Sequence, residues 1–332
     1  MSSLRAGPRQ QSGSVKVGHL KAVVEPDAMP EIDLHSHSRY SDGSLAPADL
    51  VALAARAGVK ALALTDHDAV AGLTEARAAA AVHGLCLING VEISAAWNGH
   101  NIHVVGLQVD PENPILRDGL ARQAGARALR ARHMADKLEA LGMTGVYDGV
   151  LALAQSPDAI SRTHFSQWLF ANGHVSSIQQ AFDRYLGPRK PASVPMPWAS
   201  LEDTVSWIRA AGGVAVLAHP GRYPLTRTKM RGLIAAFRQA GGEAIEVATA
   251  TEKPDMVQYL GRLSVELGLL ASQGSDYHGT PAPWIALGNF PRLPAGCTPV
   301  WTAWGWPVDG LPACMATDVA TGSVPVVAEA LS

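Results

Sequence analysis

His35, His37, Asp42, His67, Glu92, His103, His219, Asp276 and His278 lie at or just beyond the ends of short apolar runs, or within one of them. The stretch "EIDLHSHSRYSDGS" leaves an alternating strand pattern on two histidines, an arginine and an aspartate. In "HSH" the histidines are at i and i+2, so an extended backbone turns both imidazoles to the same side. "DYH" repeats that geometry with Asp276 and His278. Imidazole and carboxylate together suit zinc, manganese or iron, and the lack of cysteine among these positions argues against a thiolate zinc site. So many donors point to a multinuclear hydrolytic centre, where adjacent cations share a bridging carboxylate and a bridging hydroxide. An isolated HxH arises by chance; the weight lies in the recurrence of donors at one position of a repeated pattern. His19, His83, His100, His133 and His174 end no apolar strand run and are set aside.

The elements that must position these residues alternate from Ile32 onward. "EIDL" precedes "PADLVALAARAG", with Pro47 at a helix start and Gly58 as a stop. Then follow "KALALTDHD", "GLTEARAAAAVHG", "LCLINGVEIS" and "HNIHVVGLQV". This order is the signature of a parallel sheet with crossover helices. From about 114 to 200 the rhythm gives way to helices, "LRDGLARQAGARALRARHMADKLEALG" and "SRTHFSQWLFANG", and a proline-rich connection. It resumes through "VAVLAHP", "EAIEVA" and "LLASQGSDYHG". About seven β-rich runs suit a closed or nearly closed barrel, whose strand ends converge on one face and carry the chemistry there. Neither GxGxxG nor GxxxxGK[ST] is present, so nucleotide-loop readings lack their defining parts.

The composition is that of a globular protein. Of 332 residues 47% are hydrophobic and 17% charged, enough apolar material for a large core. A net charge of -2 gives no general attraction to nucleic acid or anionic membrane. Three widely spaced cysteines argue against a disulfide framework, and a reducing cytoplasm is the simplest compartment. No stretch approaches a membrane span, and the first 28 residues lack the apolar core of a secretory signal. No obligate protein partner is indicated. Asp66 is expected to orient an imidazole and is grouped with the catalytic residues, while Asp68 is expected to cap the following helix. Three roles stay open for Glu246: contact with substrate, weak metal binding, or pairing with an arginine.

Together "DLHSHSRYSDG", "LALTDHD", "NGVEIS", the histidine of "NIHVVGL", "LAHPGR" and "GSDYHG" resemble the PHP (polymerase and histidinol phosphatase) family, in its motif order, over residues 31 to 279. The resemblance implies an α/β fold, a distorted (β/α)7 TIM-like barrel with a small helical insertion domain. It implies three divalent metal ions, manganese foremost with zinc or iron as alternatives. His35, His37, Glu92 and Asp276 would hold the first; Glu92, bridging, with His103 and His219 the second; Asp42, His67 and His278 the third. The expected organisation is a flexible extension over 1–29, a phosphoesterase barrel over 30–112 and 200–295, an insertion over 113–199 capping the site, and a peripheral tail over 296–332.

Within the family the likeness is to stand-alone bacterial members with a helical insertion after the fourth strand. Some remove phosphate from nucleoside 3',5'-bisphosphates, and others trim RNA from the 5' end. Through it Arg162, His164 and Lys190 look like phosphate-facing residues. Arg162 offers a planar fork and Lys190 a compact charge, while His164 could bind phosphate or protonate the leaving oxygen. The implied reaction is hydrolysis of the phosphomonoester of nucleoside 3',5'-bisphosphates or 5'-nucleotides by a metal-bridging hydroxide. Alternatives are 5'-3' exoribonuclease action on short RNA or ribosomal RNA ends, histidinol-phosphate hydrolysis, and a non-catalytic metal-binding regulatory module. The aromatics Phe165, Trp168 and Tyr185 of the insertion are read as core packing.

Overall fold

The computed structural model describes residues 31–154, 156–196, 198–279 and 285–311. The extension expected over 1–29 and the tail beyond 311 lie outside the described residues. The strands in chain order are β1 (Ile32–Asp33), β2 (Ala61–Leu64), β3 (Cys86–Trp97), β4 (His100–Leu107), β5 (Ala199–Ser200), β6 (Val214–Leu217), β7 (Ala244–Thr249) and β8 (Leu270–Gly274). The helices are α1 (Pro47–Arg56), α2 (Leu73–His83), α3 (Pro114–Glu139), α4 (Val146–Ala154), α5 (Arg162–Ala171), α6 (Ile178–Ala181), α7 (Leu201–Ala210), α8 (Arg227–Gln239) and α9 (Pro254–Leu267). No helix among the described residues is long and apolar enough to cross a membrane.

The strands pair in the order β1-β2-β3-β4-β6-β7-β8, with β5 added beside β3. The path curls until its ends meet. Leu34 N donates to Gln273 O at 3.1 Å, and Ser36 and Tyr277 form a parallel bridge beyond β1 and β8. The barrel expected from the alternation is therefore present, with one strand reversed: β4 is antiparallel to both β3 and β6. The local cause is legible in "WNGH". Asn98 and Gly99 both take positive φ, +46° and +76°, the two-residue turn that folds a hairpin rather than a crossover.

Side-chain alternation divides the core into an interior and an outer layer. Ala61 and Ala63 of β2 point into the barrel with Val214 and Val216 of β6, while Leu62 and Leu64 pack outward under α1 and α2. Ala215 and Leu217 join α7, α8 and α9 in the largest cluster. Ala244, Ala61, Ala63 and Ala218 are small because a barrel of so few strands leaves little room inside.

α3 ties the insertion to the barrel. Asn113 caps it, accepting from Ile115 N and Leu116 N, and its 26 residues span about 39 Å. Leu116 and Leu120 on its first half join the barrel cluster, whereas Met134 and Leu138 on its second half enter a separate core with Phe165, Trp168 and Leu169. Phe165 and Trp168 are thus packing residues, as expected.

The segment after 296, expected to be peripheral, is partly structural. Ala271 N donates to Thr298 O at 2.8 Å, and Val300 and Trp301 are buried against the barrel interior. A single 3-10 turn, Val300–Trp304, carries them, too short to leave a helical period in the sequence.

Gly119 is where α3 lies against α7: a Cβ there would sit 2.4 Å from the Trp207 ring. Alanine normally favours a helix over glycine by about 1 kcal/mol, but the overlap outweighs that gain. Gly119→Ala is expected to destabilise the protein by about 1–3 kcal/mol, read as a lower urea midpoint.

Candidate metal centre

His35 and His37 leave β1 toward the same side, fully buried, with their Nε2 atoms 3.0 Å apart. Glu92 Oε2 lies 3.3 Å from each, and Asp276 Oδ1 lies 3.3 Å and 3.1 Å from them. Beside this group, Asp42 Oδ1 is 3.2 Å from His278 Nε2 and 3.6 Å from His67 Nε2. Glu92 joins the remainder: its Oε1 is 2.9 Å from His103 Nδ1 and 2.9 Å from His219 Nε2, and its Oε2 is 3.0 Å from His67 Nδ1. All nine residues singled out in the sequence converge here. Three sets of donor atoms each lie within 4.8 Å: His37, Asp42, His67 and His278; His35, His37, Glu92 and Asp276; His67, Glu92 and His103. His219 reaches Glu92 yet falls outside these sets, and His37 and His67 each belong to two of them.

Several local devices aim these side chains. In β7 the alternation turns Glu246 inward between Ala244 and a bulge spanning Glu246 to Ala248. Its Oε1 lies 2.7 Å from His35 Nδ1 and its Oε2 accepts from His219 N at 2.7 Å, so one carboxylate orients two donors. This contact with an imidazole and a backbone amide is none of the three roles left open for Glu246 in the sequence. His219 and Asp276 take φ of +29° and +54°, turns that swing them over the barrel mouth. His103 arrives from the middle of β4 because that strand runs backward and enters at the face the others leave. Gly274 is required by proximity: a Cβ would stand 2.6 Å from His35 N.

Asp66 binds no imidazole directly. Its carboxylate accepts from Ser38 N at 2.7 Å, Ser38 Oγ at 2.7 Å and Ser41 Oγ at 2.6 Å, and so fixes the turn between His37 and Asp42. Asp68 is not a helix cap, contrary to expectation: the N-cap of α2 is Gly72, and no side chain caps it. With φ of +53° it accepts from Ser94 N and Ser94 Oγ and pairs with Arg127 of α3. Asp68 lies five residues before Leu73, the first residue of α2, too far back to cap it, and its left-handed backbone turns it to this tertiary pairing instead. Arg222, not anticipated, pairs with Asp276.

Charge is poorly balanced by the chain alone. Burial and the neighbouring His278 push His37 down to about 3, whereas Asp42 and Asp276 outweigh burial and lift His278 to about 10. These two rings stack at 4.1 Å, so a proton on one opposes a proton on the other. Asp42 Oδ1, His67 Nδ1, Glu92 Oε2 and His219 Nδ1 are buried and, although the first three lie close to other polar atoms of the cluster, none makes a well-aligned hydrogen bond among the described residues. Buried donor atoms that crowd one another without aligned hydrogen bonds are what an external cation would satisfy. The donor set fits divalent metal.

The centre opens into a cavity of about 240 Å³ roofed by the insertion, with Arg127, Arg130, Arg162, Phe182 and Trp198 on that side. Thr163 Oγ1 donates to Asp42 Oδ2 at 3.0 Å, joining α5 to the barrel. Of the expected phosphate-facing residues, Arg162 lines the cavity. Lys190 is exposed in an adjoining recess that Arg162 shares. His164 is buried and accepts from Ser161 N at 3.1 Å through Nδ1, completing the cap of α5, and it does not line the cavity. A wider groove of about 1240 Å³ lies past Asp68 and holds none of the nine donors.

A PHP domain profile matches residues 33–187. The 3',5'-nucleoside bisphosphate phosphatase of Chromobacterium violaceum is 45% identical over 273 residues, 82% of this chain and 96% of that protein. The chain belongs to the PHP domain family. The 5'-3' exoribonuclease Rnm of Escherichia coli, a further relative, is 42% identical over 277 residues, 83% of this chain and 94% of its own. Among solved structures, an amidohydrolase from Chromobacterium violaceum with bound sulfate and no metal superposes with a TM-score of 0.80 at 45% identity, covering 83% of this chain and 96% of that one. In this PHP barrel the nine donors lie on elements drawn from almost the whole described chain.

Glu246→Ala should lower metal affinity about 10–100-fold by freeing His35 and His219, measured by metal content after dialysis against graded free manganese.

Proposed function

We propose that the chain is a metal-dependent phosphomonoesterase that hydrolyses nucleoside 3',5'-bisphosphates or 5'-nucleotides. The observation that carries this reading is the pairing of a carboxylate–imidazole cluster on the barrel side with arginines on the insertion side of one small cavity. A phosphate ester has the charge to sit between them. The relatives named above as phosphatase and exoribonuclease both support attack on a phosphate ester. We assign His35, His37, Glu92 and Asp276 to one cation, Glu92, His103 and His219 to a second, and Asp42, His67 and His278 to a third, with manganese the first choice. Bound divalent cations would supply water activated at neutral pH and neutralise phosphate charge.

The chain's own groups prepare that chemistry. Glu246 holds His35 and the His219 backbone in place, and the Asp66–Ser38–Ser41 turn sets His37 and Asp42. Arg162 presents a guanidinium to the cavity at the first turn of α5, where the helix dipole adds positive potential. The assigned roles of His164 and Lys190 are correspondingly reduced: the first is engaged in capping and the second stands at the adjoining recess. Trp198 and Phe182 line the cavity, whose volume of about 240 Å³ favours a compact substrate over a long strand. A cytoplasmic setting is part of the proposal, in keeping with the free thiols of Cys86 and Cys297.

The test is product analysis of manganese-loaded protein given adenosine 3',5'-bisphosphate and a short 5'-phosphorylated RNA in parallel. Rapid phosphate release with little RNA shortening is expected; stepwise release of mononucleotides would make exonuclease action primary. His67→Ala and Asp276→Ala should each reduce turnover by at least about a thousandfold while circular dichroism stays native. Full phosphate release after exhaustive chelation would sink the metal-dependent reading.

A further inference from the structure

The outermost link between β4 and β6 is not a plain ladder bond. Beyond the paired residues Val104 and Leu217 come His103 and Ala218, and Ala218 N donates to His103 O at 3.1 Å. Two residues joined in this way across antiparallel strands ordinarily exchange both backbone bonds. Here the return bond passes through a side chain. His103 N donates to the Tyr223 hydroxyl at 2.8 Å, and that hydroxyl donates to Ala218 O at 3.0 Å. A phenol oxygen is thus wedged into the ladder, and it holds the strands apart just where His103 and His219 leave them.

The loop after His219 delivers this oxygen. Pro220–Arg222 form a 3-10 turn that ends at Tyr223 and brings its ring back beside His219, edge to face with centroids 5.6 Å apart. Tyr223 does not line the cavity, and its hydroxyl has already accepted one bond and donated another. Contact with substrate is therefore not its task. What the hydroxyl controls is distance. The His103 and His219 rings stand 5.4 Å apart at 76°, and each places a nitrogen 2.9 Å from Glu92 Oε1. Without the hydroxyl, either His103 N and Ala218 O lose their partners, or the strands close to a direct bond and carry both imidazoles with them. Ligand distances at a metal are held to within about 0.2 Å, so either result spoils the geometry.

We propose that Tyr223 is a positioning residue of the metal centre, whose hydroxyl sets the separation of His103 and His219 and so shapes the site they share with Glu92. Glu246 governs the backbone of His219, whereas Tyr223 governs that of His103. The proposal rests on the assignment of a cation to Glu92, His103 and His219; it is independent of which ester is hydrolysed.

The experiment is manganese content after equilibrium dialysis, with anomalous scattering from manganese-soaked crystals, for the wild type, Tyr223→Phe and Gly119→Ala. The last variant strains the α3–α7 contact without touching a donor. Circular dichroism should show every variant folded. At free manganese that just saturates the wild type, Tyr223→Phe should hold one ion fewer, and that ion should return at about 10–100-fold higher concentration. The missing anomalous peak should be the one beside Glu92, His103 and His219, while the peak beside Asp42, His67 and His278 stays. Gly119→Ala should keep every ion. Equal content in Tyr223→Phe and the wild type overturns the positioning role and leaves the metal assignment standing. Loss from all sites alike, or the same loss in Gly119→Ala, also overturns it, because the effect is then one of general stability. A wild type that binds no manganese beside Glu92, His103 and His219 removes the assignment and the proposal together. Loss of that one ion with the hydroxyl, in a protein whose wild type releases no phosphate, upholds the positioning role and removes the phosphoesterase reading.

Discussion

A carboxylate with no access to solvent stays charged only where positive charge is brought to it, and Glu92 is such a carboxylate. Both its oxygens are used: Oε1 faces His103 and His219, and Oε2 faces His35, His37 and His67. Burial would raise its carboxyl, yet the imidazoles of His67, His103 and His35 hold it well below its ordinary value. The imidazoles cannot all oblige at once, as the opposite behaviour of His37 and His278 shows. A metal bound at the centre would relieve the conflict, since neutral imidazole and ionised carboxylate are the forms that ligate.

Much of the barrel's irregularity follows from bringing those donors to one point. Parallel strands deliver His35, His67 and Asp276 at their ends, but a reversed strand was needed to deliver His103 beside Glu92. The bulge in β7 turns Glu246 to its two partners, and left-handed backbone at His219 and Asp276 is sustained by hydrogen bonds such as His219 N to Glu246 and Asp276 N to His35 O. Strain at the mouth is held by the packed layers beneath.

The insertion brings charge of the opposite sign. Through α3, anchored on the barrel by one half and on its own core by the other, Arg127 reaches Asp68 and Arg130 reaches the cavity. Donors for cations below and arginines above define a slot whose field favours a phosphate group. Thr163, bonded to Asp42, keeps the two sides in register.

The sequence by itself singled out the nine residues that converge at the barrel mouth, the barrel and the helical character of the insertion, because each depends on short-range pattern: apolar runs of period two, a polar residue near strand ends, a helix start at Pro47. Phe165 and Trp168 were also read as core, and they pack in the core of the insertion. What sequence reasoning missed has long-range partners. Glu246 meets His35 across 211 positions, Arg222 meets Asp276 across 54, and Arg127 meets Asp68 across 59, and no local pattern distinguishes these from surface charges. For the same reason Asp68 read as a cap, His164 as a phosphate contact, and the segment holding Trp301 as peripheral. Arg130 carried no sequence signal at all. Tertiary structure alone decided which charges were matched, because an ion pair or its absence is a property of side chains brought together from distant parts of the chain.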